Sequence, residues 1–184
     1  QFDIAGNLVK AIDGRGNAAN LYYDDCFGTP DGNARINSAP TQLGGLSSFA
    51  LVTKVTNALN QSSYAQFDYY NGKPVDGEDA NGIVASGSYS DSLDRPSQVN
   101  RAVSTAAASH SVFGYDDTNR IVTITTDLNT NNDGALVSKI VYDQMGRKSE
   151  TRQYESGTNY IAFQIQYDAL GRAYKTSNPF RPWQ

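Results

Sequence analysis

One six-residue pattern recurs seven times along this 184-residue chain: an aromatic residue, Asp, two variable residues, a turn-former and often Arg. Its clearest copies are Tyr142-Asp143-Gln144-Met145-Gly146-Arg147 and Tyr167-Asp168-Ala169-Leu170-Gly171-Arg172. Tyr115-Asp116-Asp117-Thr118-Asn119-Arg120 carries Asn in place of Gly, and Ser90-Asp91-Ser92-Leu93-Asp94-Arg95 lacks the aromatic and puts Asp at the turn. Phe2-Asp3-Ile4-Ala5-Gly6-Asn7, Tyr23-Asp24-Asp25-Cys26-Phe27-Gly28 and Phe67-Asp68-Tyr69-Tyr70-Asn71-Gly72 are weaker copies. The shared Asp stands at 3, 24, 68, 91, 116, 143 and 168, so successive copies lie 21, 44, 23, 25, 27 and 25 residues apart. The interval of 44 is two periods, which places a decayed or replaced copy near residue 46. A period of this length defines a repeat architecture in which neighbouring units bury each other's faces.

Each copy carries the chemistry of a β-hairpin. The aromatic (Phe2, Tyr23, Phe67, Tyr115, Tyr142, Tyr167) suits a pleated surface and is expected to form a packing ladder along successive units. The Asp (Asp3, Asp24, Asp68, Asp91, Asp116, Asp143, Asp168) accepts from a backbone N–H two residues on and starts the reversal. Gly146 and Gly171, with Asn or Asp as substitutes elsewhere, take the left-handed position that such turns need. Arg95, Arg120, Arg147 and Arg172 open the return strand and lay their stems over the aromatic. A bulky Phe27 does not suit that left-handed position, so the second unit is expected to turn at Gly28. Between motifs, Ile161, Phe163, Ile165 and Tyr167 alternate with Ala162, Gln164, Gln166 and Asp168, and residues 120–126 are β-branched after Arg120; both read as strand, as do 136–142 and 49–56. Asp-Gly pairs at 13, 31, 76 and 133 and Asn-Gly pairs at 71 and 81 supply further turns. The alanine-rich stretch 97–111 tolerates helix, yet the spacing predicts a strand pair with a loose turn. The fold class is therefore all-β: consecutive antiparallel hairpins in a curved strip, one array over 1–184, with a long loop at 29–45.

Tyr-Asp-x-x-Gly-Arg at a period of twenty-odd residues resembles the YD repeat of the Rhs family, found in bacterial Rhs polymorphic toxins, in the shells of insecticidal toxin complexes and in teneurins. The similarity runs from Phe2 to about Phe180. It implies a strip of hairpins that spirals into a hollow shell around a toxin, or a barrel on a cell surface, in a large bacterial protein. The resemblance thus implies a secreted or cell-surface location and a structural, non-enzymatic role. The family's self-cleaving Asp residues and Asp-Pro-x-Gly signature have no counterpart here, so self-cleavage is not assigned. Because the first motif begins at residue 2, the chain reads as cut from a longer array. Its partners are then flanking repeats, or other copies of itself, through open sheet edges.

Other functions find little support in the residues. A net charge of −4 and a pI near 4.9 argue against nucleic acid or an anionic membrane, and no apolar run is long enough to span a bilayer. Cys26 is alone, and the single histidine, His110, reads as an exposed strand or turn residue with no nucleophile elbow elsewhere. No cofactor is expected; calcium is the one candidate, because Asp127, Asn129, Asn131 and Asp133 offer oxygens at alternate positions. That loop lacks the EF-hand's sixth-position Gly and has Ser138 where the closing Glu would stand, and turn chemistry alone accounts for its composition. Tyr69, Tyr70 and Tyr22 are the candidates for a glycan-stacking face, the alternative function being carbohydrate binding or adhesion.

Overall fold

The computed structural model describes residues 1–36 and 41–184. These residues form two compact units, Gln1–Ala108 and Ser109–Gln184. The first contains β1 (Lys10–Ile12), β2 (Ala18–Tyr22), β3 (Lys54–Thr56), β4 (Ser62–Phe67), β5 (Pro74–Glu78), β6 (Val84–Ser88) and β7 (Gln98–Arg101). The second contains β8 (Ser109–Asp116), β9 (Ile121–Thr126), β10 (Leu136–Tyr142), β11 (Lys148–Ser156), β12 (Asn159–Tyr167) and β13 (Ala173–Thr176). Within each unit every strand pairs antiparallel with its sequence neighbours. The fold is thus all-β and made of consecutive antiparallel hairpins. The described residues contain only a single short 3-10 turn, Thr41–Leu43.

Local sequence explains the strands. Every residue of β9 is β-branched, which favours extended backbone over helix. Over 97–111 no helix forms; β7 ends at Arg101, and Ala102 and Ser104 adopt φ of 50° and 62° before β8 begins. The strand expected over 49–56 is confined to Lys54–Thr56, because Phe49 itself turns into the left-handed region at φ 49°. Most strand residues are only half-buried. Among the described residues the buried apolar side chains are Cys26, Phe27, Ala34, Val75 and Ala162, and all but the last lie in the first unit.

That concentration has one cause. β2 pairs directly with β3, Asn20 facing Thr56 and Tyr22 facing Lys54, so residues 23–53 are an insertion between adjacent strands. Among the described residues no hairpin copy stands near residue 46; the doubled interval is one connection grown long. The expected loop at 29–45 falls inside this insertion, and its residues 37–40 lie outside the described residues. The insertion folds back onto β4 and β5. Phe27 bridges Phe67 in parallel, with Phe67 N–H donating to Cys26 O at 2.9 Å and Gly28 N–H to Phe67 O at 3.0 Å. Gly28 is therefore extended backbone lying against β4, and the turn expected there does not form. The Asp76-Gly77 pair is not a turn either. It sits inside β5, where the Asp76 carboxylate, 1% exposed, accepts the insertion's Asp31 and Gly32 N–H groups at 3.1 and 3.0 Å.

The Asp116 turn corrects a further expectation. Asn119 does not take the left-handed position; Arg120 does, at φ 56°, within a four-residue loop that closes Asp116 onto Ile121. Arg120 therefore belongs to the turn and not to the return strand. A non-glycine residue there costs about 1–2 kcal/mol, and the extra chain entropy of Gly offsets part of the gain from relieving it. Arg120→Gly is expected to raise stability by about 1 kcal/mol, read as a higher denaturation midpoint at unchanged m-value.

Candidate functional site

The motif turns are a closed hydrogen-bonded box. In the Asp143 turn, Oδ1 accepts the N–H groups of Met145 and Arg147 at 2.8 and 2.9 Å, and Oδ2 accepts Arg147 Nε–H at 2.7 Å. Asp143 N–H donates to Arg147 O, Gly146 N–H returns to Asp143 O, and Gly146 is left-handed at φ 75°. Asp168 repeats this with Leu170, Arg172 and Gly171 at φ 81°. Such a loop is a type I turn followed by a left-handed residue and a bulge, which explains the register slip before Tyr142 and Tyr167. Asp91 closes the same box with Leu93 and Arg95 while Asp94 is left-handed at φ 55°. Asp3 uses Ala5 and Asn7. Asp68 uses Tyr70 and Asn71 in a loop one residue longer, and Asp116 uses Asn119.

Asp24 departs from the set. It is exposed, and no side-chain hydrogen bond from it occurs among the described residues. Its neighbour Asp25 is buried instead and accepts Ser48 N–H and Oγ–H at 2.7 and 2.6 Å, tying the two ends of the insertion together. The box also occurs where no aromatic precedes it: at Asp13 with Arg15 and Asn17, at Asn57 with Leu59 and Gln61, and at Asp79 with Asn81 and Ile83. The spacing Asp/Asn-x-x-Gly/Asn marks all three in the sequence.

The carboxylates feel this wiring. Arg95 holds Asp91 down to about 2. Asp143 and Asp168 are lowered, first by the Arg147 and Arg172 N–H groups and also by those guanidinium groups. Asp143→Ala and Asp168→Ala are each expected to lower the melting temperature by about 2–6 °C, the effect of losing a cap in a chain this size. Asp143→Asn should lose less, because Asn57 already closes such a box here with its amide. Equal melting of all three variants and wild type would contradict this role.

Successive units are stapled by tyrosine. Tyr167 donates its hydroxyl to Lys148 O at 2.9 Å, and Arg147 lies 4.4 Å over the Tyr167 ring, so the residues closing one turn hold the aromatic of the next. Tyr89 does the same, donating to Pro74 O at 3.1 Å beneath Lys73 at 5.1 Å, and Lys73 Nζ also donates to Asp94 O. The unit of Asp91 therefore does have its aromatic, two residues before the Asp. Tyr23 donates to Leu8 O at 3.1 Å. Tyr115 and Tyr142 are half-buried in β8 and β10, and Phe67 is half-buried at the end of β4. Phe2 is 70% exposed at the bridge to Leu8 and does not pack as the ladder requires.

The tyrosines proposed for glycan stacking are placed differently. Tyr22 is covered by Lys54 at 4.9 Å. Tyr69 stands edge-on between Phe27 and Tyr70 at 5.3 and 5.4 Å, and Tyr70 is 84% exposed. Tyr64, Tyr154 and Tyr160 likewise carry Arg35, Lys139 and Arg152 over their faces.

His110 is not an exposed residue. Its side chain is 13% exposed, and Nδ1 lies 2.6 Å from Asp127 Oδ2; the ionised carboxylate only accepts, so Nδ1 carries the proton. Asp127 also accepts the N–H groups of His110, Asn132 and Gly134. Burial pushes its carboxyl upward, but these donors outweigh burial and hold it well below the usual range. Asp133 accepts Leu128, Asn129, Thr130 and Ala135 N–H, which hold it at about 2. The loop thus commits Asp133 to its own backbone and Asp127 to its backbone and to His110, while the Asn129 and Asn131 side chains are exposed. No cluster of three His, Cys, Asp or Glu side chains suited to a metal occurs among the described residues.

A lowered carboxylate stabilises the fold fully above its unfolded value of 3.8, and that stability is lost as pH falls through the folded value. Unfolding by acid, followed by circular dichroism, is therefore expected to begin below about pH 4 and to deepen toward about pH 2.

These features define a class, the antiparallel hairpin strip closed by repeated Asp turns. Neither a family model nor a curated protein matches the chain. A solved structure does: a chain in the Tc holotoxin pore of Photorhabdus luminescens, carrying a mutated TccC3, matches all of this chain with a TM-score of 0.64 at 14% identity. The present chain spans 9% of that chain's length. The likeness shows the fold.

Proposed function

We propose that this chain is a non-enzymatic structural segment of a bacterial Rhs-type YD-repeat protein, secreted or carried on the cell surface. It supplies hairpins to a β-strip wall that encloses a cargo such as a toxin, or that builds an extracellular assembly. The observation that carries this reading is the tyrosine staple, which spends the motif's Tyr, Asp and Arg on joining one hairpin to the next. Most strand residues are only half-buried, which supports it. The fold likeness to a Tc holotoxin chain extends over the whole length. Flanking repeats, or other copies of the chain, would extend the array from the outer edge of β13 and, at the other end, beyond the Gln1–Phe2 segment that pairs with Leu8 and Lys10.

Cryo-electron microscopy of the protein in its full natural length tests the role. The expected result is this segment inside a continuous wall, with a further strand paired at each of its two edges. A segment standing free, with both edges unpaired, would overturn it.

A further inference from the structure

The sequence holds two Asn-Gly pairs, Asn71-Gly72 and Asn81-Gly82, each in a hairpin turn. An asparagine before glycine is open to attack on its side-chain amide by the next backbone nitrogen, because glycine has no Cβ in the way. The two attacking nitrogens stand alike. Gly72 N–H donates to Asp68 O at 2.9 Å and Gly82 N–H to Asp79 O at 3.0 Å, and both glycines are left-handed, at φ 66° and 79°. What separates the two sites is the asparagine side chain.

Asn71 Oδ1 accepts Lys73 N–H at 2.8 Å. A side-chain oxygen that reaches the second N–H onward copies a backbone turn and folds Cγ back against the nitrogen of the residue between, here Gly72. The N–H that holds this oxygen also draws charge from Cγ and is in place for the negative charge the oxygen gains under attack. Asn33 and Asn57 fold back in the same way, toward Arg35 and Leu59, but alanine follows each of them. Asn81 has the glycine without the fold-back. Its Nδ2 leans to the Asp79 carboxylate at 3.5 Å, and among the described residues no N–H reaches its Oδ1.

We propose that Asn71 is a site of self-modification, where the folded chain converts asparagine to aspartate and isoaspartate with age. Gly72 N bonds to Asn71 Cγ, the Cγ–Nδ2 bond breaks, and the proton of the attacking nitrogen leaves with Nδ2 as ammonia, closing a cyclic imide. Water then opens the imide at either carbonyl, its hydroxyl going to carbon and its proton to nitrogen. The sum is amide plus water to acid plus ammonia. Asn71 is half-buried and Gly72 exposed, with open space on the side where a Cβ would stand, so water reaches the ring. Either product adds a negative charge beside Asp68, whose Oδ1 accepts Asn71 N–H at 2.9 Å. The isoaspartate also lengthens the turn between β4 and β5. This chemistry is independent of the wall role.

Incubation of the whole folded chain in warm, mildly alkaline buffer, followed by peptide mass spectrometry, tests the site. Conversion at Asn71 is expected to run about tenfold or more faster than at Asn81, with both aspartate and isoaspartate formed. In denaturant the fold-back is gone, and the two Asn-Gly pairs should convert at similar rates. Circular dichroism before and after incubation confirms that the first sample stayed folded. Conversion at Asn81 that equals or outpaces Asn71 in the folded chain overturns the proposal, as does a folded chain in which Asn71 stays intact. An excess at Asn71 that persists unchanged in denaturant overturns it too, since the fold then selects nothing. Aspartate without isoaspartate would mark direct hydrolysis by water and overturn the role of Gly72 N.

Discussion

Gly28→Ala is expected to destabilise the first unit by about 1–3 kcal/mol, the range for forcing one extra carbon into a filled interior. A Cβ at Gly28 would stand 2.5 Å from the Cδ, Nε2 and Oε1 atoms of Gln66. A flexible side-chain end usually swings away from such an intruder, but Gln66 is only 2% exposed and its Nε2 donates to Ile36 O at 2.9 Å. The alanine must therefore displace either that bond or the pairing of residues 26–28 with Phe67. Gln66→Ala removes the obstruction, so the double variant should lose less than the two single losses combined. Additive losses, measured by chemical denaturation, would contradict the close approach.

Asp76→Ala is expected to cost about 1–3 kcal/mol, because the buried N–H groups of Asp31 and Gly32 would lose their acceptor. Asp76→Asn should cost less. Burial pushes the Asp76 carboxyl upward, so its charge is held at a cost that the amide removes while keeping one acceptor. The sign with pH follows from the same shift. A carboxyl raised by folding contributes stability as pH falls through its folded value, opposite to the lowered carboxylates of the turns. Asp76→Asn lacks that opposing contribution, so its stability should fall more steeply with acid than the wild type's. A shallower fall would contradict the assignment.

What was legible in the sequence is what the chain decides locally. The Asp box closes within five residues, so Asp143, Gly146 and Arg147 announce their turn without reference to anything distant, and β-branched runs such as 121–126 announce their strands. The insertion could not be read this way. Asp76-Gly77 has the signature of a turn, yet it lies in mid-strand because a loop more than forty residues earlier needs its carboxylate. Gly28 looks like a turn former, yet its role is to let backbone pass against Gln66. His110 meets Asp127 only because β8 and β9 pair. Tyr89 escapes the pattern because the spacing from aromatic to Asp is one residue longer, although its hydroxyl finds the same kind of carbonyl as Tyr167. Long-range pairing, more than residue type, decides each of these cases.

The central claim is that this chain is a strip element whose outer edges are built to continue. In β13, Ser177 N–H, just beyond the strand, donates inward to Gln164 O, and the antiparallel alternation leaves Thr176 N–H on the open side. Electron microscopy of the purified chain beside Thr176→Pro tests this most directly. The account predicts filaments or closed rings for the wild type and their loss when proline removes the edge donor. A wild type that remains a dispersed single particle at every concentration, indistinguishable from the variant, would contradict it.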